Sequence, residues 1–466
     1  MLALLNAGAC PLIYTLLGLT LDGLTSRSPW SPALRAILET LYTAEEAKVV
    51  ATMPTGLSTV TRIAQVTGIA PAQLTPLLTG LARKGLLIDL HRDDIPYYTI
   101  SPMVIGVFEF TMMRRGADLD HQKIARLFHR YLNEEPEFWT SNLATGNRFS
   151  ILRTLPHEDS LGDQEHVEVL DFDKASHLVR RAKRFALGIC SCRHEKHHQG
   201  RACDTPLELC SAFDLGADYL IRNDLARESS REEMLDLLQQ SRDRGLVLSA
   251  DNVQRGTQYI CHCCGCCCNY LAGLNHWGHP QAVLSSSFLA KLDPSACTRC
   301  GRCIKKCPVS AIVLRDPPAP GRAPQATSSN NHPPAFPAID PQRCIGCGVC
   351  VVHCSPRALH LIPRPQRIIT PADSFEKVVL QALEKGTLQN LLFDNPNSTS
   401  QAFGRTLLRT FLRLDPVKRA LFSDLLRSHF LNALRAGVKV AGMGWLMEDY
   451  RSASSPPEPG RDASPA

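Results

Sequence analysis

C-T-R-C-G-R-C-I-K-K-C-P, from Cys297 to Pro308, and C-I-G-C-G-V-C-V-V-H-C-S-P, from Cys344 to Pro356, share the spacing C-x2-C-x2-C-x3-C. Such a run lets one tight loop deliver three thiolates to three irons of a cubane. The fourth cysteine leaves on a turn into a helix and reaches a different cubane. Gly301, Gly346 and Gly348 give the loops a backbone that bulky residues would obstruct. Two such runs in one chain predict two [4Fe-4S] clusters rather than zinc ribbons or structural thiols.

Working outward, most of the other cysteines lie just upstream. Of the 19 in the chain, only Cys10 falls outside the interval from Cys190 to Cys354. Close-set runs in a long chain read as metal or cluster ligands in a reducing compartment, not as a secreted disulfide framework. Cys190 and Cys192 form C-x-C-R, followed by Cys203 and Cys210, four thiols that could complete a further [4Fe-4S] or a zinc site. Cys261, Cys263, Cys264, Cys266, Cys267 and Cys268 then crowd into Y-I-C-H-C-C-G-C-C-C-N-Y. Adjacent side chains point apart and a tetrahedral ion takes four ligands, so these six cannot share one ion. Some serve a second site, pair reversibly or stay free, and a redox-active thiol cluster is the competing reading.

Two look-alikes are set aside. His194, Glu195 and His198 satisfy H-E-x-x-H, but they stand in a polar stretch among Arg193, Lys196, His197, Gln199 and Gly200 without the apolar helix face that motif requires. Cys263, Cys264 and Gly265 echo the C-C-G of heterodisulfide-reductase domains, yet the companion C-x2-C would be Cys297 and Cys300, already used by the cluster loop. The basic run Arg180, Arg181, Lys183 and Arg184, continued by Arg193, Lys196 and Arg201, reads as a solvated helix face. It could also offset thiolate charge or dock an acidic redox partner.

The remainder is ordinary globular sequence, 44% hydrophobic and 21% charged, with a net charge of +6. That surplus does not suggest a dedicated nucleic-acid binder. Met1 to Leu21 is apolar but broken by Asn6 and Pro11 and carries no basic n-region, so a buried amphipathic helix is expected rather than a signal peptide or anchor. From Pro32 to Ile100, three helices and two extended runs (Leu86 to Leu90, Tyr97 to Ile100) read as a winged helix. Between Ala51 and Ile100, four Lys/Arg (Arg62, Arg83, Lys84, Arg92) against three Asp (Asp89, Asp93, Asp94) leave no electrostatic footprint for duplex DNA. No G-x-G-x-x-G follows a strand, so neither flavin nor nicotinamide binding is expected.

The two cysteine runs resemble bacterial two-cluster ferredoxins over about Asp293 to Leu361. The resemblance implies one cluster on Cys297, Cys300, Cys303 and Cys354 and the other on Cys344, Cys347, Cys350 and Cys307. Two features depart from it: Ser355 precedes Pro356 after the last cysteine, and a Pro-rich insertion swells the gap between the runs. The chain as a whole, over about 35 to 390, resembles a little-characterised family of bacterial and archaeal [4Fe-4S] dicluster proteins. The shared features are L-Y-T-A-E-E-A (Leu41 to Ala47), C-x-C-R, C-x-C-C-G-C-C-C and a terminal ferredoxin domain. That implies electron transfer and names no substrate.

The expected architecture is α+β and multidomain. It runs from a winged-helix-like domain (32–100) and a helical cysteine-rich domain (103–290) to a 2[4Fe-4S] ferredoxin-like domain (291–363, insertion 316–337). A helical C-terminal region (372–450) and a disordered tail (452–466) follow. The expected function is cytoplasmic electron transfer between redox protein partners, a donor and an acceptor, with no membrane span and no nucleic acid. A third [4Fe-4S] cluster or zinc would sit on the central cysteines, and an oxidoreductase subunit is one form this could take. The rivals are a redox-sensing winged-helix regulator and a thiol or heterodisulfide-type oxidoreductase.

Overall fold

The computed structural model of the chain describes residues 10–142, 150–161, 173–277, 284–315, 336–365, 369–414, 421, 424–440 and 442–448. Most of the Pro-rich insertion and the whole 452–466 tail lie outside the described residues. No helix among the described residues is long and apolar enough to cross a membrane.

The N-terminal apolar stretch forms a helix, Cys10–Asp22, that buries Ile13, Tyr14, Leu17 and Leu21. Helices follow at Pro32–Leu41, Ala44–Thr52, Val60–Thr67 and Pro71–Arg83. The second of these, inside L-Y-T-A-E-E-A, is one more than the periodicity predicted. It starts at a capping box in which Thr43 and Glu46 satisfy each other's backbone N–H. The strands β1 (Ser58–Thr59), β2 (Leu87–Arg92) and β3 (Ile95–Ile100) pair in the order β1-β3-β2.

The middle of the chain corrects the expectation of a mainly helical domain. It holds a seven-stranded sheet of β4 (Leu152–Leu155), β5 (Phe185–Ile189), β6 (Glu208–Phe213), β7 (Ala226–Glu228), β8 (Val247–Asp251), β9 (Tyr259–Cys263) and β10 (Leu284–Ser285). The order is β10-β4-β8-β9-β6-β5-β7. All residues of β4, β5 and β8 are buried, so these strands lack the apolar–polar alternation by which a strand is recognised. Between the two sets of central cysteines a helix runs from Arg231 to Arg244, capped by Ser230 and stopped by left-handed Gly245.

Further on, β11 (Phe288–Leu292) pairs with β14 (Leu359–Pro363), and β12 (Ile312–Arg315) with β13 (Phe336–Ile339), both antiparallel. Short helices Arg302–Lys306 and Val349–Val352 pack between these ribbons. Helices Ser374–Lys385, Leu388–Leu392, Thr399–Leu412 and Asp424–Val440 follow. The segment after the second of these docks on the N-terminal part: Asn397 donates to the Thr52 and Val66 carbonyls at 3.0 and 3.1 Å, and Arg62 meets Asp394 at 3.5 Å.

Candidate metal centre

Strand pairing places three of the central cysteines together. Cys261 and Cys263 alternate on β9 and so share a face, and Cys210 on β6 stands opposite Cys261 in the antiparallel register. His262, between them, turns to the other side and is held by Ser211 at 3.0 Å and Ser241 at 2.6 Å. Cys190 caps the helix Ser191–His198 directly after β5, and Cys192 lies in its first turn. Cys268 immediately precedes the helix Asn269–Trp277. A buried network fixes the two helices to each other: Lys196 Nζ donates to Glu195 at 2.8 Å and to Asn269 at 2.9 Å, and Asn269 donates to Glu195 at 2.9 Å.

Cys190, Cys192, Cys210, Cys261, Cys263 and Cys268 therefore line one cavity of about 900 Å³, which Cys264 lines as well. Neighbouring thiols and burial together raise Cys192, Cys261 and Cys263 well above an ordinary thiol, and burial pushes Cys190 up to about 11. Thiols crowded in this way resist ionising alone; a positively charged centre among them supplies the compensation. Arg193 bears on the same point. It is 1% exposed and donates to the His262 carbonyl at 2.6 Å, yet its Nε and Nη1 are buried without a hydrogen-bond partner. Burial works against its charge, but Cys190, Cys264 and Cys263 hold the guanidinium above its ordinary value. Guanidinium donors beside Cys190, Cys263 and Cys264 fit an iron–sulfur cluster, whose sulfurs accept hydrogen bonds. Arg193 and Lys196 thus leave the solvated basic run expected from sequence, in which Arg180, Arg181 and Lys183 remain exposed.

Cys203 stands apart from Cys190, Cys192 and Cys210. It meets the other half of the cysteine run, and the Sγ atoms of Cys203, Cys264, Cys266 and Cys267 all lie within 4.8 Å of one another. Cys203–Cys264 and Cys266–Cys267 are 3.7 Å apart and Cys203–Cys267 3.6 Å. Four thiolates around one zinc at about 2.3 Å stand roughly 3.8 Å apart. Thiolates that each cap a different iron of a cubane stand wider. Cys267 and, against the cost of burial, Arg193 bring Cys264 down to about 4, a ready thiolate.

In the downstream runs, Cys307, Cys344, Cys347 and Cys350 line one small cavity of about 20 Å³. Cys344, Cys347 and Cys350 are at most 9% exposed, while Cys300 in the first run is exposed and Cys297 and Cys303 are half-buried. Backbone N–H groups donate to sulfur at Cys297 (from Arg299, 3.4 Å) and Cys307 (from Ala311, 3.2 Å). Gly301, Gly346 and Gly348 all have left-handed φ, from 65° to 77°. At Gly346 a Cβ would also lie 2.1 Å from Ser286 Oγ and 2.2 Å from the Phe288 carbonyl; at Gly301 nothing crowds it. The glycines are thus favoured by backbone conformation and, at Gly346 and Gly348, by the neighbouring side chains Ser286 and Ser160. Ser355, which displaces the proline after Cys354, accepts a 2.6 Å bond from Arg302 and ties the second run to the first.

The two regions touch. The Pro308 carbonyl, one residue beyond Cys307, accepts from Asn275 at 3.1 Å and lies 2.8 Å from where a Cβ on Gly265 would be. Gly265 is the glycine of C-C-G-C-C-C, so the turn after one candidate ligand rests directly on the central cysteine loop.

Compared with known proteins, residues 296–359 match the family model of a 4Fe-4S dicluster domain. No curated protein matches the chain, and no solved structure does. All eight cysteines of the two C-x2-C-x2-C-x3-C runs fall inside the matched segment, and together with the central thiol groups that match points to an iron–sulfur protein.

Proposed function

We propose that this chain is an electron-transfer protein in which a ferredoxin-like domain feeds a third redox centre on the central thiols. The observation that carries the reading is the contact of Pro308 with Gly265, which joins the Cys307 turn to the central cysteine loop. The ligand sets are those of the two-cluster ferredoxin pattern: Cys297, Cys300, Cys303 and Cys354 for one [4Fe-4S] cluster, Cys344, Cys347, Cys350 and Cys307 for the other. A [4Fe-4S] cluster supplies one-electron transfer at a potential set by hydrogen bonds and exposure. The exposed Cys300 suits an encounter with a redox protein partner, and Cys307 of the second set leads through Pro308 to the central loop.

Cys190, Cys192, Cys210, Cys261, Cys263 and Cys268 are read as the ligand field of a further iron–sulfur cluster. Cys203, Cys264, Cys266 and Cys267 are read as the holder of one zinc that fixes the loop. The cavity falls in the range of small-molecule sites, about 300–1,000 Å³, which suits an oxidoreductase subunit acting there. Residues 32–100 are read as a winged helix used for packing: Tyr219 donates to the Leu87 carbonyl at 3.0 Å, while Arg222 and Asn223 hold Asp89 at 2.6 and 2.7 Å. A wing strand held in this way disfavours the DNA-regulator reading.

Iron, acid-labile sulfide and zinc per chain, measured on anaerobically purified protein, test this proposal. Three cubane-sized centres give about twelve irons, against about eight for the two ferredoxin clusters alone, with one zinc on the thiols of Cys203, Cys264, Cys266 and Cys267. Zinc without sulfide overturns the electron-transfer reading.

Glu109 adds a pH signature. It lies on the cavity wall, takes the Gly106 N–H at 2.9 Å and is pushed by burial up to about 7. Below that pH its carboxyl is neutral; above it, a negative charge near Cys192 opposes an added electron. The midpoint potential of the central centre is expected to fall as pH rises through about 7, and Glu109→Gln is expected to hold it at the acid-side value. A potentiometric titration that gives the wild type and the variant the same slope contradicts this role.

A further inference from the structure

The motif His194-Glu195-x-x-His198 is polar in sequence, yet it forms the helix Ser191–His198. Its two histidines are one turn apart and share a face, with His194 Nε2 and His198 Nε2 3.0 Å apart. A third ring joins them from His121, the first residue of the helix His121–His129. Its centroid lies 5.3 Å from that of His194 and 5.1 Å from that of His198, stacked on the latter at 11°. One ligating nitrogen from each of the three rings lies within 4.8 Å of the others.

Backbone carbonyls fix which nitrogens are free. A carbonyl only accepts, so His194 Nδ1 donates to Met112 O at 2.6 Å and leaves Nε2 with its lone pair. His121 Nε2 likewise donates to Gly116 O at 3.1 Å. The remaining nitrogen of that ring, Nδ1, is buried with no hydrogen-bond partner. A buried, unpartnered acceptor has a cost that a ligand removes. Carbonyl–histidine pairs of this kind are also what orients imidazoles toward a metal. Two nitrogens on one zinc at about 2.0–2.1 Å stand roughly 3.3 Å apart, close to the separation of the two Nε2 atoms.

We propose that His121, His194 and His198 form a three-imidazole site for a divalent first-row cation of the zinc class, separate from every thiol group. Neutral nitrogen ligands select zinc, nickel or copper over magnesium or calcium, and three protein ligands leave a fourth coordination position open. Glu195 does not serve as the base of a zinc protease. It is buried on another side of the helix, engaged by Lys196 and Asn269.

The test is calorimetric titration of the anaerobic, cluster-loaded chain with zinc sulfate after brief EDTA treatment and desalting. The wild type is expected to take up one equivalent that His121→Ala and His198→Ala each abolish. Iron content reports that the variants remain folded. His197→Ala, which alters a neighbour outside the trio, is expected to leave uptake unchanged. The equivalent is also expected to persist in Cys203→Ser, which removes a thiol ligand instead. Failure of the wild type to bind, an unchanged isotherm in the His121→Ala, His198→Ala double variant, or equal loss in His197→Ala overturns the proposal. None of these outcomes bears on the electron-transfer reading, which the iron and sulfide counts test separately.

Discussion

Replacing Cys261 and Cys263 together with serine is expected to lower the iron content from about twelve to about eight per chain, with a matching loss of sulfide. The two residues share one face of β9 and each has a thiol neighbour beyond the pair: Cys210 beside Cys261, Cys268 beside Cys263. Removing both takes ligands from the centre of the six-thiol group while leaving the strand's hydrogen bonds to β6 and β8 in place. Serine keeps the volume and polarity close to those of cysteine, so the sheet should survive. Electron paramagnetic resonance of the reduced variant is expected to retain the signals of the downstream centres and lose the third. Eight irons already in the wild type, with the variant identical, would show the central thiols to be a separate redox-active group rather than a cluster site. Zinc is expected to stay at its wild-type level, because Cys203, Cys264, Cys266 and Cys267 are untouched.

That division of the cysteines could not be read from the sequence, and the reason is geometric. In the two downstream runs the cysteine spacing is local, so Cys297 to Cys307 and Cys344 to Cys354 stand out in the sequence as a repeated C-x2-C-x2-C-x3-C pattern. In the central region the partners depend on sheet register and on distant chain segments. Cys210 meets Cys261 only because β6 and β9 are neighbours in the sheet order, which no local spacing encodes. Sequence proximity grouped Cys203 with Cys190, Cys192 and Cys210; the fold gives it to Cys264, Cys266 and Cys267. Of the two readings open for the basic run, a solvated face or an offset to thiolate charge, Arg193 follows the second, and Lys196 instead pairs with buried Glu195. The histidine trio had a signal in H-E-x-x-H, but its third member comes from another helix.

Gly265→Ala is expected to separate the ferredoxin-like region from the central loop functionally without emptying either. The added Cβ would stand 2.8 Å from the Pro308 carbonyl and 3.1 Å from its Cα. Both are backbone atoms, so no side-chain rotation relieves the clash and one of the two loops must move. Overpacking of this kind costs about 1–3 kcal/mol, small enough for the domains to fold and load their metals. Pro308 cannot retreat freely, because it follows Cys307 and its carbonyl is held by Asn275. The strain therefore falls on the contact through which the proposed relay runs. With iron, sulfide and zinc unchanged from the wild type, rapid-mixing reduction should fill the downstream centres at the wild-type rate and the central one more slowly. A Gly80→Ala control adds a methyl where nothing lies within 4 Å and should change neither rate. Equal rates in Gly265→Ala and the wild type would mean that electrons reach the central thiols by another route or not at all, and the contact at Pro308 would then be packing alone.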